Sequence, residues 1–141
     1  MIDIEGMETA ILDALKTIGA LAHVESYQGN IDEILMENVV PLPAALVIYG
    51  GFTDENVVAR GGAKGEIDVG FGVIVAGQNL SGSGDASLDV RRMLTAARDV
   101  LNGLEHQKRT LTLRSEVLSK MSNTGICAYE QEYRYKDWLT T

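Results

Sequence analysis

The stretch Glu66-Ile67-Asp68-Val69-Gly70-Phe71-Gly72-Val73-Ile74-Val75-Ala76-Gly77-Gln78-Asn79 decides the fold. Ile67, Val69, Phe71, Val73 and Val75 recur at every second position, which in an extended chain places them all on one face. The other face carries Asp68, Gly70, Gly72, Ile74 and Ala76, small enough on the whole to leave the sheet smooth or closely approached. A strand with a continuous apolar face has to be covered by another layer, and the flanking sequence supplies helices to do it.

Downstream, Val90, Met93, Leu94, Ala97, Leu101 and Leu104 fall on one stripe of a long amphipathic helix, with Gly103 placed to cap its carboxyl end. Upstream, Ile4, Met7, Ile11, Leu15 and Ile18 make a similar stripe between Asp3 and Gly19. Leu21 to Tyr27 reads as a short strand, and Asn30 with Glu33 as the start of a brief helix carrying Ile31, Ile34 and Leu35. Pro41 and Pro43 force a turn before a buried strand over Ala44 to Tyr49. The glycine-rich interval from Gly50 to Gly65 follows neither period and reads as a long loop or protruding arm. Thr110 to Val117 and Gly125 to Lys136 read as two further strands, antiparallel across Ser122-Asn123-Thr124-Gly125. This order predicts an α+β fold: a single domain over residues 1–141, built as a sandwich of one mainly antiparallel sheet of four to five strands with two long helices on one face. The spacing between strands is too irregular for the repeated βαβ units of a doubly wound nucleotide-binding fold.

The 141 residues are 45% hydrophobic and 23% charged, an ordinary globular mixture, with a net charge of -8. That balance argues against a nucleic-acid partner, which needs a clustered basic surface to neutralise phosphate. The asymmetry is informative: the ten acids of residues 1–59 face only Lys16, while the remainder is nearly balanced. Cys127 is the one cysteine, so an intrachain disulfide and a cysteine zinc cluster are excluded and a reducing cytoplasm is expected. The acidic start and the lack of a long apolar run speak against a secretory signal and a membrane partner.

Near neutral pH the candidate proton carriers and nucleophiles are His23, His106 and Cys127, none within a catalytic motif. His106 follows the long helix, where an imidazolium would suit the helix carboxyl end. Metal-binding spacings such as HExxH or CxxC do not occur, so no cofactor or metal is expected. Gly82-Ser83-Gly84-Asp85 precedes a helix but lacks the lysine of a phosphate-binding loop, and Asp85 would repel an anion; a turn with a helix cap is the better reading. In the last strand Cys127, Tyr129, Gln131, Tyr133 and Tyr135 alternate with a charged face. The tyrosines fit the core first and a protein interface second, and an exposed terminal edge would invite strand addition.

Five segments together carry a family resemblance: the acidic N-terminal helix, Pro43-Ala44-Ala45-Leu46-Val47-Ile48-Tyr49-Gly50-Gly51, Val73-Ile74-Val75-Ala76-Gly77-Gln78-Asn79, Asp89-Val90-Arg91-Arg92-Met93-Leu94 on to Leu101-Asn102-Gly103-Leu104, and Gly125-Ile126-Cys127-Ala128-Tyr129. Over nearly its whole length the chain resembles the Mu-like phage tail-terminator (tail-completion) family. The resemblance implies a homo-oligomeric ring, six-membered, that caps the tail tube, stops its polymerisation and presents a surface to head-connector proteins. It implies assembly in the host cytoplasm followed by residence in the virion tail, and it brings no catalytic residues. The loop from Ser81 to Asp85 is shorter than the family leads one to expect. In such a ring one patch meets a different patch on the next subunit, so the acidic first half is expected to meet basic residues of the second. The candidate subunit or tail contacts are Asp54, Arg60 and Lys64 in the arm from Thr53 to Gly65, Arg91 and Arg92 on the second long helix, and Tyr133 and Tyr135 on the last strand. The alternative readings are a baseplate or adaptor component of the same particle, and a small enzyme or ligand-binding domain with an unrecognised pocket.

Overall fold

A computed structural model describes residues 3–28, 41–54, 65–78, 85–121 and 125–139. In chain order the elements are α1 (Ile4–Lys16), β1 (His23–Ser26), β2 (Ala44–Asp54), β3 (Gly65–Gln78), α2 (Asp85–Leu101), β4 (Glu105–His106), β5 (Arg109–Thr110), β6 (Thr112–Met121) and β7 (Ile126–Leu139). The main sheet has the order β1-β2-β3-β7-β6, with β4 and β5 forming a separate two-stranded ribbon. Among the described strands only the β1–β2 pair is parallel; β2–β3, β3–β7 and β7–β6 are antiparallel. The architecture is therefore α+β with a mainly antiparallel five-stranded sheet.

β3 is the spine of this sheet because both its neighbours are long. It pairs with β7 over 14 residues without interruption, from Gly65↔Leu139 to Gln78↔Ile126. Its period-two residues Ile67, Val69, Phe71, Val73 and Val75 are buried beside Met7, Ile11 and Leu15 of α1 and Val90, Leu94, Ala97 and Leu101 of α2. Both helices thus cover the same sheet face, each through its apolar stripe. They are of ordinary length rather than long: 13 residues for α1 and 17 for α2. α1 stops at Lys16, short of Gly19, because Thr17 closes it: its backbone N–H and its hydroxyl both donate to Ala14 O, at 3.2 and 2.6 Å. α2 ends at Leu101, and Gly103 follows with φ of 89°, a conformation suited to glycine, its N–H donating to Leu111 O at 2.7 Å.

Three strands run past their expected ends, β7 reaching Leu139 rather than Lys136. β2 continues through Gly50 and Gly51 to Asp54, because a register shift between Tyr49 and Gly51 absorbs one extra residue and Gly51 takes φ of 86°. β6 runs on to Met121 with two such shifts, at Leu113/Ser115 and Leu118/Lys120. The brief helix read over Asn30 to Leu35, the loop Gly82–Gly84 and the turn Ser122–Thr124 lie outside the described residues.

Candidate interaction surfaces

The two faces of the sheet are chemically unlike, and β7 shows why. Its helix-side residues Cys127, Gln131, Tyr133, Tyr135 and Asp137 are buried. Tyr133 and Tyr135 are 0% and 2% exposed, so these tyrosines belong to the core and do not present a contact to another subunit. Their rings extend far enough from the strand to fill the space under the helices; Tyr135 stacks on Phe71, itself in contact with Tyr49, with centroid separations of 6.3 and 5.5 Å. Burial raises the pKa of both phenols. Nor is β7 an edge: it lies between β3 and β6, and among the described residues the sheet's edges are β1 and β6.

Gln131 is the polar tie on this side. Its Nε2 donates to Leu94 O of α2 at 3.1 Å and to Glu116 Oε1 of β6 at 2.8 Å, and its Oε1 accepts from the Tyr133 hydroxyl at 2.6 Å. Glu116 also pairs with Arg98 of α2. One amide therefore clamps helix to sheet with all its groups used, which permits its burial.

On the opposite face the sheet divides lengthwise. At one end Ala44, Leu46, Ile74, Ala76, Ile126 and Ala128 form a second buried cluster. At the other end β7 presents Glu130, Glu132, Arg134 and Lys136 across from Ile74, Gly72, Gly70 and Asp68 of β3. Arg134 Nε meets Glu132 Oε1 at 2.6 Å, and its Nη1 lies 3.4 Å from Asp68 Oδ2; this pairing raises the guanidinium pKa. Lys136 Nζ lies 3.8 Å from both Glu66 and Asp68. The glycines make room for these side chains: a Cβ at Gly72 would fall 2.8 Å from Glu130 Oε1, and one at Gly70 3.5 Å from Arg134 Cζ.

The candidate proton carriers are engaged locally. His23 Nε2 is buried and lies 3.0 Å from Glu25 Oε2 on β1, a close contact that is not a hydrogen bond. His106 Nε2 lies 3.0 Å from Asp3 Oδ2, so it serves the amino end of α1 and not the carboxyl end of α2. Asp3 also caps α1 by accepting from Gly6 N at 3.0 Å, and the His106 hydrogen bond, then that cap, lower its carboxyl pKa. The ribbon carrying His106 turns through Gln107 and Lys108 with φ of 49° and 66°. Cys127 is buried, which raises its thiol pKa and suits a packing role. Among the described residues, no group of three or more His, Cys, Asp or Glu could hold a metal ion. No described helix is long and apolar enough to cross a membrane.

Arg91 and Arg92 are exposed on α2. Asp54 closes β2, at the register position opposite Ile67. Arg60 and Lys64, with the arm between β2 and β3, lie outside the described residues. The exposed apolar side chains Val117 (54%) and Leu118 (51%) on edge strand β6, and Phe52 and Trp138, each 45% exposed, are not among the candidate contacts read from the sequence. Val117 stands opposite Glu130 on the charged side of the sheet, and Leu118 opposite Tyr129 on the helix side.

Comparison with solved structures finds the same fold in a chain of the virion of a native gene transfer agent particle. The TM-score is 0.55 at 11% identity, covering 94% of each chain. No curated protein matches the chain. The family model described as bacteriophage Mu, Gp37 matches residues 3–136. That match takes in both helices and nearly all of the sheet, and the chain belongs to the bacteriophage Mu Gp37 family.

Proposed function

We propose that this protein is a structural subunit of a phage-type particle, a tail terminator whose copies close into a ring on the end of the tail tube. The family match over residues 3–136 carries this reading, and the fold shared with a chain of a gene transfer agent virion supports it. The chemistry of the side chains agrees. His106 is hydrogen-bonded to Asp3 and Cys127 is buried, while the exposed apolar side chains Phe52, Val117, Leu118 and Trp138 offer area suited to protein contacts. The function is thus assembly: self-association into a ring, six-membered by family resemblance, with one side on the tube and the other on head-connector proteins. Electron microscopy of the purified protein mixed with tail tubes tests it. Rings on tube ends are the expected image; decoration along the wall, or no binding, would sink the reading.

A further inference from the structure

We infer that the subunits of this ring join edge to edge, the outer edge of β6 in one copy pairing with β1 of the next copy. The inference rests on the ring reading and supplies its contact. Three observations carry it.

First, among the described residues the strand order leaves β6 and β1 at the two margins of the sheet, each with one described strand beside it and its other edge facing away from the sheet. Secondly, strand directions agree. β1 runs with β2, and three successive antiparallel pairings bring the chain direction at β6 opposite to that at β1. A second copy laid beside the first in the same orientation therefore brings β1 antiparallel to β6, the more stable ladder, and keeps every helix on the same side of the extended sheet. Lengths agree as well. Between the two irregularities of β6, Ser115 to Leu118 pair regularly with β7, a stretch matching the four residues of β1, His23–Ser26.

Thirdly, the side chains at the two margins are complementary. β6 exposes Val117 and Leu118, adjacent residues on opposite sheet faces, so both sides of the strand gain by being covered. Leu118 lies on the helix side, the side on which Val24 of β1 packs against the core. Of the charges on the two edge strands themselves, β1 carries Glu25, whereas β6 carries Arg114 and Lys120 against Glu116. An acidic margin meeting a basic one favours the head-to-tail contact over like margins meeting, and a contact between different patches is the kind that closes a ring.

Native mass spectrometry and amide hydrogen exchange on the wild-type chain, at concentrations above and below assembly, test the inference without any substitution. The expected result is an oligomer in which amides of both 114–118 and 23–26 gain protection. A chain that stays monomeric at micromolar concentration overturns spontaneous ring formation, and this contact with it. An oligomer that protects neither strand overturns the contact alone. The double variant Val117→Glu, Leu118→Glu should shift assembly to at least about tenfold higher concentration with an unchanged melting curve, since both side chains are exposed. Adding Glu25→Lys should recover part of that loss. Assembly as efficient as wild type in the double variant would overturn the assignment.

Discussion

The two faces of the β3–β7 ribbon share one uninterrupted backbone ladder yet are covered in opposite ways. On the helix side, branched and aromatic residues present a surface that only another layer can satisfy, and α1 and α2 provide it. On the charged end of the other side the sheet covers itself: Arg134 and Glu130 extend from β7 over Gly70 and Gly72, and Glu132 and Lys136 pair with Arg134 and with Glu66 and Asp68 respectively. The lesson is that period-two alternation identifies which residues share a face but not what covers it. A face of long paired ions over glycines is already satisfied by its own side chains, whereas an apolar face depends wholly on its neighbours.

That contrast can be broken most severely from the helix side. Phe71→Ala removes a fully buried ring that touches Tyr49 and Tyr135, and the cavity should lower unfolding free energy by about 3–5 kcal/mol in denaturant titration. Gln131→Ala is milder. It takes the clamp from Leu94 O, Glu116 and the Tyr133 hydroxyl, and leaving that hydroxyl buried without its acceptor should cost about 1–3 kcal/mol in the same measurement. Gly72→Ala acts on the other face, where the new methyl meets only the far end of the flexible Glu130 side chain. Its effect should stay within about 1 kcal/mol, with loss of glycine freedom in the unfolded chain offsetting the displaced carboxylate. A Gly72→Ala loss as large as that of Phe71→Ala would mean that the charged face is packed as rigidly as the core, and the contrast would fail.

Much of the fold was legible because its longest elements have strong periods: β3, α1, α2 and the β6–β7 hairpin follow from apolar spacing alone. The β4–β5 ribbon was not, because its turn places Gln107 and Lys108 at positive φ, where glycine or asparagine would have signalled a tight hairpin. The extension of β2 was hidden by the pair Gly50-Gly51, which reads as a break but here accommodates a bulge within a continuing strand. For the interaction surfaces, strand order was the missing quantity. Tyr133 and Tyr135 were candidates for contact because tyrosine suits an interface as well as a core; on β7, between β3 and β6 and under the helices, both are buried. The exposed pair Val117 and Leu118 breaks the alternation that marks a half-buried strand, a signal present in the sequence but read there only as the end of the element.

The same strand order also governs time. β7, the last strand of the sheet to leave the ribosome, lies between two strands made earlier and supplies the partner for every residue of β3. β3 and β6 therefore wait, each lacking its β7 neighbour, until synthesis has passed residue 126, and the ladder completes only near residue 139. Pairings so distant in sequence make folding slow and leave apolar strand surface open meanwhile. The late arrival of β7 also fixes the margin: β6 is first set in its final place when the monomer's own sheet closes.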